Sequence, residues 1–331
     1  MQRSGGTSLL VALAATTLAA AALSLFIGYA ALPPDKVIGG LFAGGDTSAI
    51  IMREIRLPRM LLGLVAGAAL GISGAVLQGL LRNPLAEPGV TGVSAFAALG
   101  AVIAMYFGIA AQWPLALPAF AIAGALISAL LLFAVSARDS GILTLILAGV
   151  ALSSFAGALT ALALNLAPNP YAVSEIVFWL LGSLKDRSLQ DVAIASPFVA
   201  VGVAILATTG RSLDALTLGE DAAQSLGIDL RALARRSALG VALAVGGSVA
   251  VTGTIGFVGL VVPHLMRPLV GHEPSKLLLP SALGGALLVT VADIGVRLVP
   301  SQPELMLGVF TSLAGAPFFL WLIVRLRREM R

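Results

Sequence analysis

Few side chains in this sequence could carry out covalent or metal chemistry. Cysteine is absent, and His264 and His272 are the two histidines among the 331 residues. Neither histidine has a partner at the spacing of a metal site, so we predict no bound metal and no cofactor. The sequence Gly-Ile-Ser-Gly at 71–74 contains one candidate nucleophile, Ser73, for which His264 would have to act as the base. A Gly-x-x-x-x-Gly-Lys phosphate loop is also missing, so the chain is not expected to hydrolyse ATP itself.

Arginines form a second group of candidate functional residues. Arg56 and Arg59 lie three residues apart at the start of a long uncharged segment, and Arg297 lies four residues after Asp293 in another. Asp followed by Arg at this spacing is a favourable pair on one helix face, so Asp293 is expected to hold Arg297 in place. Such a pair either prepares the arginine for a function or is only a satisfied charge near a helix end.

The elements that carry these residues follow from the composition. Hydrophobic residues make up 58% of the chain, charged residues 11%, and the mean hydropathy is +1.01, far outside the range of soluble domains. Residues 60–81 carry no charge and reach roughly 33 Å as a helix, enough to cross a hydrocarbon core of about 30 Å. A barrel is disfavoured because no ten-residue alternation is present. We predict an all-α polytopic membrane protein with one transmembrane domain over residues 1–331.

Ten apolar runs are candidate membrane spans. The run at 256–270 is short for a span, and a semi-apolar piece within 166–191 is predicted to be a short helix at the membrane surface. The first run is too long for the core of a cleaved signal peptide. The ten runs are 8–30, 60–81, 91–110, 114–135, 142–166, 191–209, 233–252, 256–270, 277–299 and 305–325.

The distribution of basic residues predicts that both termini are cytoplasmic. With ten spans the termini share a side, and that side collects most of the 20 Lys and Arg residues, as the positive-inside rule requires. Arg53, Arg56 and Arg59 fall on the other side, within seven residues. This cluster suggests a partner with acidic groups on the outer face, and the alternative is that these side chains extend to lipid headgroups.

Glycines follow one face of the second span. Gly63, Gly67, Gly71 and Gly74 recur at three- and four-residue spacing, and small residues let helices approach closely where no hydrophobic effect acts between them. We predict tight helix packing along this face, with the further hypothesis that such faces allow helices to tilt or slide during transport.

Residues 209–237 form the longest polar interruption and are predicted to be a cytoplasmic loop. Glu220 and Asp221 follow Gly219 where acidic groups would complement the positive end of a helix dipole, and Gly227 lies where that helix would end. The pattern predicts two short helices joined by a turn. Its segment DAAQSLG matches the EAA-x-x-x-G pattern found in the coupling loops of ABC-transporter permeases, with Asp221 in place of Glu.

A series of motifs resembles the FecCD family of ABC-importer permeases over almost the whole chain. The resemblance implies ten helices per subunit, a homodimer around one central pathway, two ATPase subunits that bind ATP and Mg²⁺, and a soluble substrate-binding protein outside. It implies a multi-pass protein of the bacterial inner membrane that contacts lipid and no nucleic acid. The motifs are RLPR at 56–59, SGAVLQGLLRNPLAEPG at 73–89, FWLLGSL at 178–184, LGEDAAQSLG at 218–227, GFVGLVVPHLMR at 256–267, LLLPSALGGALLVTVADIGVR at 277–297 and GVFTSLAGAPFFLWL at 308–322.

The same resemblance implies roles for individual residues. Arg56, Arg59 and Arg297 match arginines that dock the binding protein, and Asn83 and Leu85 match an inner constriction. The turn at 137–141 takes the place of a second gate, although Asp139 and Ser140 depart from the threonine–serine pair of the vitamin B12 relative. Polar candidates for lining the pathway are Gln78, Ser153, Ser154, Thr160 and Asn165. Coupling to the ATPase is assigned to Leu218, Gly219, Glu220, Asp221, Ala222, Ala223 and Gly227.

The cargo expected from these motifs is a large metal chelate. AEPGVTGVS and FWLLGSL are most similar to the haem and vitamin B12 branches, so haem ranks first, with cobalamin and ferric siderophores as alternatives. Two other classes stay open. An ion-coupled secondary transporter would need a deeply placed ionisable group, for which Asp293 is the candidate. An intramembrane protease would use Ser73, because Gly-Ile-Ser-Gly matches the rhomboid pattern.

Overall fold

A computed structural model describes residues 3–42, 46–136 and 142–329. Within these ranges the chain consists of helices and connecting turns, without a β-strand, which confirms the predicted all-α class. The α-helices are α1 (Arg3–Phe26), α2 (Pro34–Phe42), α3 (Thr47–Ile50), α4 (Leu57–Leu80), α5 (Val93–Tyr106), α6 (Ile109–Gln112), α7 (Ala116–Ser136), α8 (Ile142–Asn165), α9 (Pro170–Leu180), α10 (Leu189–Ala207), α11 (Gly210–Leu216), α12 (Glu220–Ser225), α13 (Leu230–Thr252), α14 (Val258–Met266), α15 (Pro274–Leu298) and α16 (Leu307–Glu329). A π-helical turn at Ile51–Arg56 joins α3 to α4, and a 3₁₀ turn at Arg267–Val270 follows α14.

Seven helical segments of the described chain are long and apolar enough to cross a membrane, so the protein is a multi-pass membrane protein. The other three predicted runs correspond to shorter apolar helices. Of these, α5 has 14 residues and α14 has 9, and the described apolar part of α16 is Leu307–Leu322. The seven segments are Thr7–Phe26, Thr47–Leu80, Ala116–Val135, Leu143–Asn165, Leu189–Ala207, Leu230–Thr252 and Pro274–Leu298.

The extra short helix predicted after the fifth span is α9, with 11 residues. It begins where the Asn169 side chain accepts a hydrogen bond from the Ala172 backbone N–H at 3.0 Å, which satisfies one of the free donors of the first turn. Ile176 and Trp179 on this helix are buried. Because α9 reaches only about 17 Å, it is too short to cross the membrane.

The antiparallel pair α4 and α15 forms the centre of the bundle, and glycines allow its close approach. A Cβ atom added to Gly67 would overlap the backbone of Gly285 and Ala286, and one added to Gly71 would overlap the carbonyl of Ser281. Gly74 meets the carbonyl of Gly259, in the first turn of α14, in the same way. The predicted packing face of the second span is therefore confirmed.

The antiparallel arrangement gives the pair two distinct ends. We call the end with Arg59, Asp293 and Arg297 the arginine end, because the start of α4 meets the end of α15 there. At the other end α11 packs on both helices: Leu213 lies against Gly79 of α4, and the Ser275 N–H of α15 donates to Asp214 Oδ1 at 2.8 Å. We call this the α11 end. From Arg59 to Gly79 the helix rises about 30 Å, the thickness of a bilayer core.

At the periphery, α8 is the least buried of the seven membrane-spanning segments within the single chain. It touches α5 and α7, and Ser153 donates a hydrogen bond to the Gly89 carbonyl at 2.9 Å. Half of its described large apolar side chains are exposed in the single chain, namely Leu143, Leu147, Val150, Phe155 and Leu162. This face must therefore be covered by lipid or by another protein surface.

Candidate functional site

Arg59 is the centre of a buried ionic network at the arginine end. Its guanidinium nitrogens lie 2.8–3.1 Å from the Asp293 carboxylate, and the carboxylate of Glu304, in the connection between α15 and α16, binds the same guanidinium. Arg297 binds the other side of Asp293, with Nη2 2.9 Å from Oδ2. The predicted Asp293–Arg297 pair is confirmed. The network joins α4, α15 and the connection that leads to α16.

Arg56 and Arg297 also fasten the end of α1. Arg297 Nη1 donates to the carbonyls of Ser24 and Ile27 at 2.8 and 2.6 Å, and Arg56 Nη1 donates to the Leu25 carbonyl at 2.7 Å. The last carbonyls of a helix have no partner within the helix and carry its negative dipole end. Two guanidinium groups therefore cap α1 and hold the chain that follows it.

The structure brings the three sequence-predicted arginines together but does not place them on an open surface. Arg56, Arg59 and Arg297 are 4%, 6% and 7% exposed. Their donors are used within the chain, so none extends to lipid headgroups as the alternative interpretation supposed. That these residues dock a partner stays a prediction. In this conformation their side chains hold helices of the same chain together.

Sequence reasoning missed Glu304 and Ser24, which complete this network. Glu304 is 8% exposed and follows Gln302 and Pro303 in a short connection. The sequence did contain a signal for Glu304, because it is the single carboxylate in the connection between two apolar spans. The Ser24 hydroxyl accepts from Arg297 Nη2 at 2.6 Å, and nothing in the sequence around it distinguished Ser24 from other serines of apolar helices.

The predicted coupling loop lies at the α11 end and contains α11 and α12, the two short helices expected. Glu220 and Asp221 occupy the first turn of α12, and Gly227 follows its last turn with φ +83°. Gly219 precedes the helix with φ +107°. The loop is shorter than predicted, because the first turns of α13 begin already at Leu230, where the Asp229 side chain caps the Ala232 N–H at 3.0 Å.

One face of α12 is buried, and the leucines on either side of this helix are exposed. Ala223 is fully buried and Ala222 is half-buried, whereas Leu218 and Leu226 are 68% and 63% exposed on either side of α12. Exposed leucines beside the acidic first turn of a short helix form a surface suited to a protein partner. The hydrogen bond that the Asp229 carboxylate accepts from the Ala232 N–H lowers the pKa of that carboxyl and fixes where α13 begins.

The residues predicted to line or gate a pathway separate into four groups. Gln78 is 2% exposed, and its amide binds the Gly259 and Leu260 carbonyls and Arg267. Both ends of this amide are occupied inside the bundle in this conformation, and the lining of a pathway by Gln78 stays a prediction. Asn83 forms a local turn in which its Oδ1 accepts the Leu85 N–H at 2.9 Å. Ser154 and Asn165 are exposed on α8, Ser153 and Thr160 half-buried, and Asp139 and Ser140 lie outside the described residues.

A cleft of about 570 Å³ opens beside the middle of α4, between the connection that follows α4 and the start of α16. Its walls include Leu70, residues 87–89, residues 254–257 and the first turns of α16. Glu87 is the one charged side chain among the described residues that line it. Burial raises the pKa of the Glu87 carboxyl, while the hydrogen bond from the Phe257 backbone N–H acts in the opposite direction.

The geometry does not support a serine nucleophile. Ser73 is fully buried in α4, and among the described residues its hydroxyl has no hydrogen-bond partner, so His264 does not act on it as a base. Asp293, the candidate for ion coupling, has both oxygens bound by arginines. Neither alternative class gains a site from the structure.

A comparison with known protein families shows to which family this chain belongs. A model of the FecCD transport family matches residues 16–325. The chain is a member of the FecCD transport family. Among its curated relatives, the vitamin B12 import system permease protein BtuC of Vibrio cholerae is 46% identical over 276 residues, which is 82% of each chain. The hemin transport system permease protein HmuU of Yersinia pestis is 39% identical over 84% of each chain.

Other FecCD-related proteins extend the similarity to further cargoes and to a solved structure. The Fe(3+) dicitrate transport system permease protein FecD of Escherichia coli is 39% identical over 93% of this chain and 95% of its own. A solved structure of an inward-facing conformation of an ABC transporter assigned to the metal-chelate type superposes with a TM-score of 0.84 at 31% identity, covering 96% of this chain and 99% of that one. The predicted family and fold are thereby confirmed.

Proposed function

We propose that this FecCD chain is the transmembrane permease subunit of a binding-protein-dependent ABC importer that carries a large metal chelate across the bacterial inner membrane. One structural observation supports this most directly. A surface suited to a protein partner, α12 with Leu218 and Leu226, lies at one end of α4 and α15, a buried arginine network lies about 30 Å away at the other end, and a cleft opens between them.

The α11 end is proposed as the cytoplasmic face, where two ATP-binding subunits supply the energy from ATP and Mg²⁺. This agrees with the orientation that the basic residues predict, with both termini on that face. The permease itself is proposed to be non-catalytic. Residues 218–227 would transmit the movement of the ATPase, because the buried Ala223 attaches α12 to the rest of the chain while Leu218 and Leu226 are exposed.

A second copy of the chain is proposed to cover the exposed face of α8. Its apolar side chains are too numerous for a water-facing surface, and Ser153 on this helix connects directly to the loop at the edge of the cleft. Two clefts would then face a shared pathway. Lipid would cover the remaining outward-facing helices.

The cargo class comes from the relatives, whose printed names include vitamin B12, hemin and ferric dicitrate. The sequence motifs rank haem first, with cobalamin and siderophores as alternatives. The test is uptake by proteoliposomes that contain the permease, its ATPase and its binding protein. We expect uptake of at least one such chelate that needs internal ATP and is blocked by vanadate. Uptake driven by an ion gradient without ATP would instead indicate a secondary transporter.

Docking of a binding protein at the arginine end is proposed with a role for the arginine network. An incoming carboxylate would have to compete with Asp293 and Glu304, so docking and internal pairing are linked. The binding protein's affinity for Arg56→Gln and Arg297→Gln variants, measured at low and high salt, tests this. Unchanged affinity with a flat salt dependence would remove the arginines from the docking surface.

A further inference from the structure

The polar groups that line the cleft are mainly hydrogen-bond acceptors. Ser312 uses its hydroxyl proton on the Gly308 carbonyl at 2.7 Å, and Thr254 uses its own on the Leu180 carbonyl. Of the polar side chains in the described walls, Ser94 and Glu87 remain, and Glu87 carries the cleft's charge. A molecule in the cleft therefore meets a carboxylate and no basic group from this chain's described lining residues.

Glu87 has unused capacity to bind such a molecule. A carboxylate can accept about four hydrogen bonds, and the Phe257 N–H occupies one of them. The side chain lies at the edge of the cleft, where Oε1 would be 3.4 Å from a Cβ placed on the exposed residue Gly89. The turn that carries it is fixed by the Val90 N–H, which donates to the Glu87 carbonyl at 3.1 Å, and by Ser153 of α8. The carboxylate is thus held in place beside open space.

We propose that Glu87 is a cargo-contacting residue that selects chelates bearing hydrogen-bond donors or positive charge, such as amide or ammonium groups, over chelates bearing carboxylates. This inference rests on the proposed function and names the cargo chemistry that suits the cleft, and it places haem behind the corrinoids, contrary to the ranking that the sequence motifs alone gave. A fixed carboxylate in a site of low dielectric attracts donors and cations and repels a second carboxylate, as charged rings do in selective pores. Amide-rich corrinoids and cationic siderophores fit this rule, whereas haem with its two propionates and ferric dicitrate do not.

A purely structural role would give Glu87 a different signature. Its carboxylate could serve only to hold Phe257, which has φ +66°, a conformation that non-glycine residues rarely adopt. Glutamine keeps an oxygen that can accept the Phe257 N–H but has no charge. Glu87→Gln therefore separates holding Phe257 from selecting cargo by charge.

The experiment measures ATP-dependent uptake by proteoliposomes of the complete importer, with four probes supplied one at a time. Cyanocobalamin and ferrioxamine B carry amide or ammonium donors, and haemin and ferric dicitrate carry carboxylates. The matched control is Glu175→Gln, which removes an exposed carboxylate of α9 outside the cleft lining. Rates are compared between probes within one preparation, because a general folding defect lowers all of them together.

We expect the wild-type importer to favour the donor-bearing probes. Glu87→Gln should reduce that preference about tenfold, the effect of one charge-assisted hydrogen bond, and Glu87→Lys should reverse it. Glu175→Gln should leave it unchanged. The inference is overturned if the wild type prefers haemin or ferric dicitrate, or if Glu87→Gln keeps the wild-type preference. If the wild type takes up none of the four chelates in an ATP-dependent way, the proposed function is refuted as well. This outcome differs from a failure of the Glu87 inference alone, in which the wild type still transports at least one chelate.

Discussion

Arg59 and Asp293, 234 positions apart in the sequence, join α4 to α15 through a guanidinium–carboxylate pair with Nε–Oδ1 and Nη2–Oδ1 distances of 2.9 and 2.8 Å. Both side chains are almost completely buried. A buried pair of this kind is weak evidence for net stability, but leaving one partner alone is strongly unfavourable. Glu304 also binds Arg59, and Arg297 also binds Asp293. Loss of one of these side chains therefore weakens the attachment of several segments at the arginine end.

Removing the Arg59 charge should destabilise the bundle strongly. Arg59→Met leaves Asp293 and Glu304 without their shared cation, and we expect a loss of about 3–5 kcal/mol in the free energy of unfolding. Thermal unfolding in detergent measures this, with Arg211→Met, an exposed arginine of α11, as the control. Adding Glu304→Gln should recover part of the loss. An Arg59→Met protein that unfolds like the wild type would contradict the role of the network.

Arg297 and Arg56 should control how firmly the end of α1 is attached. In Arg297→Gln the carbonyls of Ser24 and Ile27 lose charged donors, so amide exchange in residues 24–30 should accelerate about tenfold. Hydrogen–deuterium exchange read by mass spectrometry reports it. Arg53→Gln is the control, since Arg53 Nε donates to the Gly40 and Leu41 carbonyls and its loss should affect residues 40–42 instead. Equal effects of both variants on 24–30 would argue against the assignment.

Close packing at Gly71 should be intolerant of even one methyl group. In Gly71→Ala the new Cβ would overlap the Ser281 carbonyl, so α4 and α15 must separate, and we expect a loss of about 3 kcal/mol or more. Gly39→Ala is the control, because a Cβ at that position of α2 meets nothing within 4 Å. Melting temperatures of the two variants in the same detergent would be compared. Because alanine has the higher helix propensity, a Gly71→Ala protein that melts at or above the temperature of Gly39→Ala would show that the added methyl group does not force the helices apart.

Gly227 should matter for its backbone conformation and not for space. A Cβ there would meet nothing within 4 Å, but φ is +83°, which valine tolerates poorly and asparagine tolerates better. We expect Gly227→Val to reduce the number of cargo molecules moved per ATP hydrolysed severalfold, and Gly227→Asn to stay near wild type. The ratio of uptake to ATPase rate in proteoliposomes tests this. Normal coupling in the valine variant would remove Gly227 from the coupling assignment.

Replacing both acidic residues of the first turn of α12 should weaken the same coupling. Glu220→Lys with Asp221→Lys places two cations at the positive end of the helix dipole, so α12 should fray. Uptake per ATP should fall while the melting temperature of the membrane bundle stays near wild type. Glu273→Lys, at an exposed ion pair before α15, is the comparison. A loss of bundle stability with intact coupling would contradict this role.

The Glu87 carboxyl should retain its proton at a pH where an exposed glutamate has lost it, because burial raises its pKa. The cargo comparison therefore applies above this pH interval, where the carboxylate is charged. Infrared difference spectra between wild type and Glu87→Gln should show a protonated carboxyl band that disappears only above the usual glutamate range. Since the folded-state pKa lies above the unfolded one, stability of the wild type relative to Glu87→Gln should decrease as pH rises through this interval. A band lost at the ordinary glutamate pKa would show that the carboxyl is well solvated.

Local patterns in the sequence were sufficient for the membrane class, the family and most helix positions. Apolar length predicts a span regardless of its neighbours, and glycines at three- and four-residue spacing predict a packing face before the partner helix is known. The short helices around Glu220 and the Asp293–Arg297 pair were predictable for the same reason: each depends on residues within one or two turns. The bounds of the shorter helices α5 and α14 could not be predicted in this way, because apolar composition continues beyond the residues that are helical.

Only the tertiary structure decided what the polar groups do. Whether Arg59 is exposed or buried depends on Glu304, which lies 245 positions away, and whether Gln78 faces a pathway depends on the carbonyls of Gly259 and Leu260. Glu87 lines a cleft because the connection before α14 and the start of α16 form the opposite walls, and neither segment is near Glu87 in sequence. The physical reason is that burial and hydrogen-bond partners belong to the surroundings of a side chain, and in this protein those surroundings come from distant helices. Apolar periodicity is inherent in the chain, whereas the state of a charge is set by what the fold brings to it.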